Sequence, residues 1–165
     1  WGVSQVLQAW RPLGRDVSGT GAAQLVFADR TAPRAGSVDA DLIVAVFTDY
    51  QCPACRKAHP ELKKAVAEDG RTQLLYKDWP IFGLVSERAA RVALAANRQG
   101  IYAPVHDSLM TRAGPLNDET LKAAVYASGG SWNRVLEDLS AFGTDIDLQL
   151  ARTTAQVFSP GRLST

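Results

Sequence analysis

The chain has 165 residues and a formal net charge of +1, from 18 Lys and Arg against 17 Asp and Glu. That length suffices for one domain with a sizeable core, and its ordinary apolar and charged fractions exclude a disordered chain. The cations are dispersed among acids, so no nucleic-acid or membrane-surface partner is expected, and no run of about 18 apolar residues exists to span a bilayer.

Residues 1–37 form an N-terminal segment that begins at Trp1 rather than Met. It lacks a basic run, an apolar core and a small-residue cleavage site, so a signal peptide is expected to be absent from this chain. An amphipathic stretch around Val3, Val6, Leu7 and Trp10 is followed by Gly19 and Gly21, and Gln24 to Ala28 reads as an edge strand. The run Leu42-Ile43-Val44-Ala45-Val46-Phe47 is continuously apolar and rich in β-branched residues, which predicts a strand buried on both faces at the centre of a sheet.

From Pro53 to Asp69 the pattern becomes helical, with Cys55, Ala58, Leu62, Ala65 and Val66 on one face and Gly70 as a stop. Pro60 lies inside and is expected to kink the helix by removing a bond to the Arg56 carbonyl. Thr72 to Lys77 is the next strand, ending at Trp79-Pro80. Residues 38–81 thus make a βαβ core with a parallel pair.

Residues 82–158 read as helices throughout. The first carries Val85, Ala89, Val92, Ala93 and Ala96 and stops at Gly100; the second follows Tyr102, Val105 and Leu109. Asn117 caps a third, with Leu116 and Leu121 placed as a hydrophobic staple, and Gly129-Gly130 end it. Ser131 caps a fourth, with Trp132, Val135, Leu136 and Leu139, ended by Gly143. Thr144 caps a fifth, with Ile146, Leu150, Thr154 and Val157.

The only two cysteines, Cys52 and Cys55, stand where the buried strand meets the first long helix. Two cysteines three positions apart are not the disulfide framework of a small secreted domain; their action is local. A thiolate at the first turn of a helix faces unpaired backbone N–H groups and the positive end of the helix dipole, which lower a thiol's pKa. Cys52 is therefore the expected nucleophile and Cys55, one turn deeper on the apolar stripe, the resolving cysteine. Pro53 suits the first helical position because its missing N–H has no partner to lose.

Other readings stand beside this one. Cys52, Cys55 and His59 supply three of the four ligands of a zinc site, or the cysteines form an inert disulfide or buried thiols. His59 fits a packing or helix-surface role, and His106 an interior or interhelix one. Asp49 is either a turn residue or a proton acceptor near the thiols. Lys77 either reaches the same region or is solvated, and Trp79 packs in the core or shapes a peptide groove.

The run Phe47-Thr48-Asp49-Tyr50-Gln51-Cys52-Pro53-Ala54-Cys55, with His59-Pro60-Glu61-Leu62 and Tyr76-Lys77-Asp78-Trp79-Pro80, resembles DsbA-type proteins of the thioredoxin fold. Ser86-Glu87-Arg88-Ala89-Ala90 and Gly114-Pro115-Leu116 resemble that family's helical insertion. The resemblance implies an α/β thioredoxin-like fold with an all-helical insertion, in a periplasmic or otherwise exported protein that oxidises the cysteine thiols of substrate proteins. Disulfide isomerisation or reduction, or non-catalytic peptide binding on the same fold, are the alternatives. Cys52 and Cys55 would be the redox pair, with no cofactor beyond their disulfide. Pro53, Ala54, Asp49 and Lys77 would support them, and a soluble or membrane reoxidant would regenerate them.

Two departures from the family pattern matter. Ala54 stands where the best-known DsbA proteins carry histidine, so a couple nearer about −200 mV than the roughly −120 mV of DsbA is expected. The family's chain also returns from the insertion to a cis-proline segment and closing strands. Here residues 159–165 stop where that return is expected, and Pro160 is not assigned the cis-proline role. A sheet left open in this way would favour a homodimer through its unpaired edge.

Overall fold

In the computed structural model, residue 14 and residues 16–158 are described. The amphipathic stretch at Val3 to Trp10 and the return segment with Pro160 lie outside the described residues. Three strands, β1 (Arg34–Gly36), β2 (Leu42–Thr48) and β3 (Thr72–Asp78), pair in the order β1-β3-β2. β2 and β3 run parallel, from Leu42 opposite Thr72 to Thr48 opposite Asp78, and β1 is antiparallel to β3.

β3 is thus the central strand, and β2, expected at the centre, has one neighbour among the described residues. Its apolar run is covered on two faces only from Val44 onward, whereas Leu42 and Ile43 are exposed. Val44 and Val46 pack against the main core, while Ala45 and Phe47 pack against a smaller cluster of Val26, Ala32 and Leu75. Side chains cover faces and backbone covers edges, so two-faced burial does not fix the number of paired strands.

The expected edge strand Gln24–Ala28 is instead the second half of a helix, α1 (Gly21–Ala28). The Thr20 side chain accepts a hydrogen bond from the Ala23 N–H at 3.2 Å, and Ala22, Ala23 and Val26 form the buried face. A cap and a helical stripe outweigh the strand-like composition of so short a run.

α2 (Pro53–Asp69) ends at Gly70, whose φ of 68° is a left-handed conformation suited to glycine. It continues as one helix through the exposed Pro60, so the expected disruption there does not end the element. Its inward stripe is Cys55, His59, Leu62 and Val66, whereas Ala58 and Ala65 are exposed. The buried His59 occupies the position expected for alanine.

The helical layer comprises α3 (Leu84–Asn97), α4 (Tyr102–Thr111), α5 (Asp118–Ala127) and α6 (Trp132–Phe158). α3 is its core: Ala89, Ala90, Val92, Ala93, Ala95 and Ala96 are fully buried, and their small side chains let neighbouring helices approach. Val85 and Leu136, expected on buried stripes, are both exposed. Asn117 and Thr120 form the capping box of α5, and Leu116 and Leu121 are both buried. The two last expected helices are one element. The break predicted at Gly143 is reduced to a non-helical Phe142 (φ −124°, ψ 15°), whose ring lies 3.4 Å from the Arg98 guanidinium carbon.

Candidate active site

β2 delivers the chain into a tight turn, Asp49 to Cys52, and α2 starts immediately after it. Cys52 is the N-cap of α2 in extended conformation, with Pro53 as the first helical residue. Its Sγ accepts the Cys55 N–H at 3.3 Å, and its carbonyl accepts the Arg56 N–H at 3.0 Å. The sulfur thereby takes the place of a capping oxygen on one of the helix's unpaired donors.

Both cysteines are free thiols and half-buried. Burial pushes the Cys55 thiol up to about 11, and a hydrogen bond with Cys52 adds to that effect. The Asp49 backbone N–H, bonded to the Cys55 sulfur, opposes the shift, whereas the Cys52 and Asp49 charges reinforce it. Cys55 is therefore neutral over the physiological range. Pro53 and Ala54 are exposed and place no hydrogen-bonding side chain between the two sulfurs.

Asp49 is buried and closely held. Its Oδ1 accepts from the Gln51 N–H at 2.7 Å and the Ser86 hydroxyl at 2.6 Å; its Oδ2 accepts from the Ile81 and Phe82 N–H groups at 2.7 and 3.0 Å. This is the turn role of the two expected for it.

Lys77 lies elsewhere. Residues alternate across a strand, and on β3 Lys77 shares the parity of Leu75, on the sheet face covered by Val26 and Ala32. Leu74 and Tyr76 point to the other face, where Cys55, Leu62 and Val66 pack. The Lys77 side chain is 1 % exposed and its Nζ is 2.5 Å from Asp29 Oδ2, so it is neither solvated nor turned toward the thiols.

His59 Nε2 lies 3.1 Å from Asp107 Oδ1, and Lys63 holds the other carboxylate oxygen at 2.9 Å. Among the described residues no group of three or more His, Cys, Asp or Glu is arranged to hold a metal.

Sequence reasoning missed the polar residues that tie this turn to the helical layer. The Arg112 Nη1 donates to the Tyr50 carbonyl at 2.7 Å and the Leu109 carbonyl at 2.6 Å. Arg56 donates from Nε to the Met110 carbonyl at 3.1 Å, and from Nη2 to the Arg112 carbonyl. Beneath them, buried, the Tyr50 hydroxyl meets His106 Nδ1 and the Tyr102 hydroxyl donates to Asp78 Oδ2 at 2.8 Å. Burial drives His106 down to about 3 and Asp78 up to about 7. One signal was available: Asp78 keeps step with Leu74 and Tyr76 at a spacing of two, which marks it as inward-facing.

A parallel βαβ unit with a two-cysteine turn at the start of its helix, interrupted by a helical layer, defines the thioredoxin-like class. The family model described as Thioredoxin matches residues 28–155, and the chain belongs to that family. Probable disulfide bond formation protein D of Bacillus cereus is 33 % identical over 78 residues, covering 45 % of this chain and 36 % of that protein. The chain therefore spans little more than a third of the length of this curated relative. A thioredoxin-like oxidoreductase from Silicibacter pomeroyi superposes with a TM-score of 0.75 at 34 % identity, over 81 % of this chain and 76 % of that one. The thiol-disulfide exchange protein alpha-DsbA2 from Wolbachia pipientis shares the fold, with a TM-score of 0.76 at 24 % identity over 82 % and 73 %. These matches bear out the DsbA-type resemblance and the α/β thioredoxin-like fold.

Proposed function

We propose that the chain is a thiol-disulfide oxidoreductase that introduces disulfides into exported proteins through Cys52 and Cys55. The observation that carries this reading is the asymmetry of the pair. Cys52 caps α2 with its sulfur on a backbone donor, while Cys55 sits one turn deeper as a neutral thiol.

In the oxidising direction a substrate thiolate attacks Cys52 Sγ in the Cys52–Cys55 disulfide. That S–S bond breaks, and Cys55 leaves with the electron pair and takes up a proton. The substrate's second thiolate then attacks its own sulfur in the mixed disulfide, and Cys52 leaves as a thiolate facing the Cys55 N–H. The substrate has lost two electrons and the pair has gained them, so a soluble or membrane oxidant must remove them. A neutral Cys55 is a poor nucleophile, which leaves the mixed disulfide to the substrate's second thiol.

The reactive group is the disulfide itself, with no further cofactor. Such chemistry belongs in an oxidising compartment, which supports a periplasmic or otherwise exported location. The relative named for disulfide bond formation supports the oxidising direction. The proposed partners are substrate proteins with cysteine thiols, the reoxidant and, through the edge of β2 that is unpaired among the described residues, a second copy of the chain.

The test mixes the oxidised chain with a reduced peptide carrying two cysteines and follows the peptide disulfide by mass. Stoichiometric oxidation by the wild type and none by Cys52→Ser is expected. Faster reduction of insulin than oxidation of the peptide would replace this reading with a reductase.

A further inference from the structure

Two arginines meet beside the thiol pair. Arg56 follows Cys55 on α2, and Arg112 closes α4 and holds the carbonyl of Tyr50, two residues before Cys52, at 2.7 Å. Every hydrogen bond described for their side chains goes to a backbone carbonyl: Arg112 donates to Tyr50 and Leu109, and Arg56 to Met110 and Arg112. Among the described residues neither guanidinium has a carboxylate within ion-pairing distance.

The Leu109, Met110 and Arg112 carbonyls lie at the end of α4, so part of what these arginines do is cap that helix. A helix C-terminus carries about half a negative charge, against two full positive ones here. The local acids do not close that gap. Asp107 is taken by His59 and Lys63, and the Asp49 carboxylate already receives four hydrogen bonds. Burial, and after it the charge of Arg56, lower the Arg112 pKa, and Asp49 only opposes them in part. Donors also remain: among the described residues Arg56 Nη1 and Arg112 Nη2 make no hydrogen bond, and both side chains are half-buried rather than sealed.

The 2.7 Å bond to the Tyr50 carbonyl puts Arg112 Nη1 within about 10 Å of the Cys52 α-carbon, because each residue advances the chain by at most about 3.8 Å. That range is about one Debye length in 0.1 M salt, and neither guanidinium donates to the Cys52 sulfur, so the pair does little for the thiolate. A carboxylate in contact with the pair has no such separation to overcome. Guanidinium edges match carboxylate oxygens in spacing and direction.

We propose that Arg56 and Arg112 form a carboxylate-binding subsite beside Cys52, which favours substrate proteins carrying Asp or Glu within about three residues of the attacking cysteine, the length of extended chain that spans the gap. The carboxylate takes no part in sulfur exchange. It holds the substrate thiolate at Cys52 and offsets the repulsion between the two cations. The inference rests on the redox reading of Cys52 and Cys55 and adds to it a sequence preference in the substrate.

The experiment uses two reduced two-cysteine peptides that differ only in Asp or Asn beside the first cysteine. The rate at which the oxidised chain oxidises each is divided by that peptide's rate with hydroxyethyl disulfide, an uncharged reference that removes the effect of Asp on the thiol itself. The wild type should prefer the Asp peptide by about fivefold at about 20 mM salt and lose most of the preference at about 0.5 M. Equal normalised rates at both salt concentrations overturn the proposal without requiring any variant. Arg56→Gln and Arg112→Gln should each bring the ratio toward one, and Arg56→Lys, which keeps the charge, should retain most of it. Folded glutamine variants with the wild-type ratio overturn the assignment and leave the arginines as helix caps. If neither peptide is oxidised, or Cys52→Ser oxidises both as well as wild type, the redox reading fails and this inference with it; oxidation of both without preference overturns only the inference.

Discussion

The hydroxyl of Tyr50, two residues before Cys52, lies 3.0 Å from Nδ1 of the fully buried His106 on α4. The active-site turn is therefore fastened to the helical layer through this histidine. Burial holds its pKa down at about 3, against 6.5 for an ordinary histidine. The unfolded chain binds this proton below about pH 6.5 and the folded chain does not. The stabilisation is complete above that value and is lost as pH falls toward 3, by an amount on the order of a few kcal/mol. Urea midpoints measured between pH 8 and 3 should fall on acidification, and His106→Phe should flatten that fall while lowering the midpoint at pH 8. An unchanged slope in the variant would show that other groups carry the acid sensitivity.

Asp78 works in the opposite sense. Burial raises its pKa to about 7, although the Tyr102 hydroxyl bonds the carboxylate. The folded state keeps the proton that the unfolded chain releases near pH 4, so stability declines as pH rises from about 4 to 7. Over much of that window Asp78 and His106 act in opposite senses, so the wild-type loss on acidification is smaller than His106 alone would give. Asp78→Asn, which still accepts the Tyr102 bond, should be more stable than wild type at pH 8 and lose that advantage by pH 4. Equal differences at the two pH values would contradict a protonated Asp78.

Much of this site was legible in the residues, and the parts that were not have identifiable causes. The strand, turn and helix around Cys52 follow from an apolar run, an X-Pro junction and a helical stripe, all local signals. The inward register of α2 was misjudged because Ala58 looked like a core residue and His59 like a surface one, whereas the pocket under α2 offers His59 both Asp107 and the His106 ring at 5.2 Å. Partners that distant in sequence are invisible to a periodicity count. Lys77 was a different kind of error: the alternation of Leu74, Leu75, Tyr76 and Lys77 already separates it from the face of the thiols, but its charge drew attention to function before parity. The four donors on Asp49 come from segments more than thirty residues apart, and only the folded chain brings Ile81, Phe82 and Ser86 to it.

The burial of Lys77 against Asp29 makes a stability prediction where the sequence suggested a redox one. The two side chains are 1 % and 6 % exposed, and first burial and then the Lys77 hydrogen bond govern Asp29, whose pKa ends at about 2. Removing one partner of such a pair strands the other charge, at a cost of about 3–5 kcal/mol. Lys77→Met should therefore unfold at much lower denaturant concentration, and Lys77→Met with Asp29→Leu should recover most of the loss. The rate at which iodoacetamide alkylates Cys52 in the folded variants should match wild type. A slowed reaction in Lys77→Met alone would return the lysine to the neighbourhood of the thiols.

The reduction potential follows from what stands near the Cys52 sulfur. A strongly oxidising pair needs its reduced form stabilised, chiefly through the thiolate. Here the exposed Ala54 supplies neither a hydrogen bond nor a charge, Arg56 is turned to the Met110 and Arg112 carbonyls, and Lys77 is bound to Asp29. What remains for Cys52 is the Cys55 N–H at 3.3 Å and the start of α2. Equilibration with glutathione should accordingly give a potential near about −200 mV, against about −120 mV for DsbA, a gap of about 4 kcal/mol for a two-electron couple. Ala54→His, which places a titratable cation between the cysteines, should raise the value toward the DsbA figure. A wild-type potential already at or above −120 mV would mean that the backbone at the start of α2 stabilises the thiolate without help from any side chain.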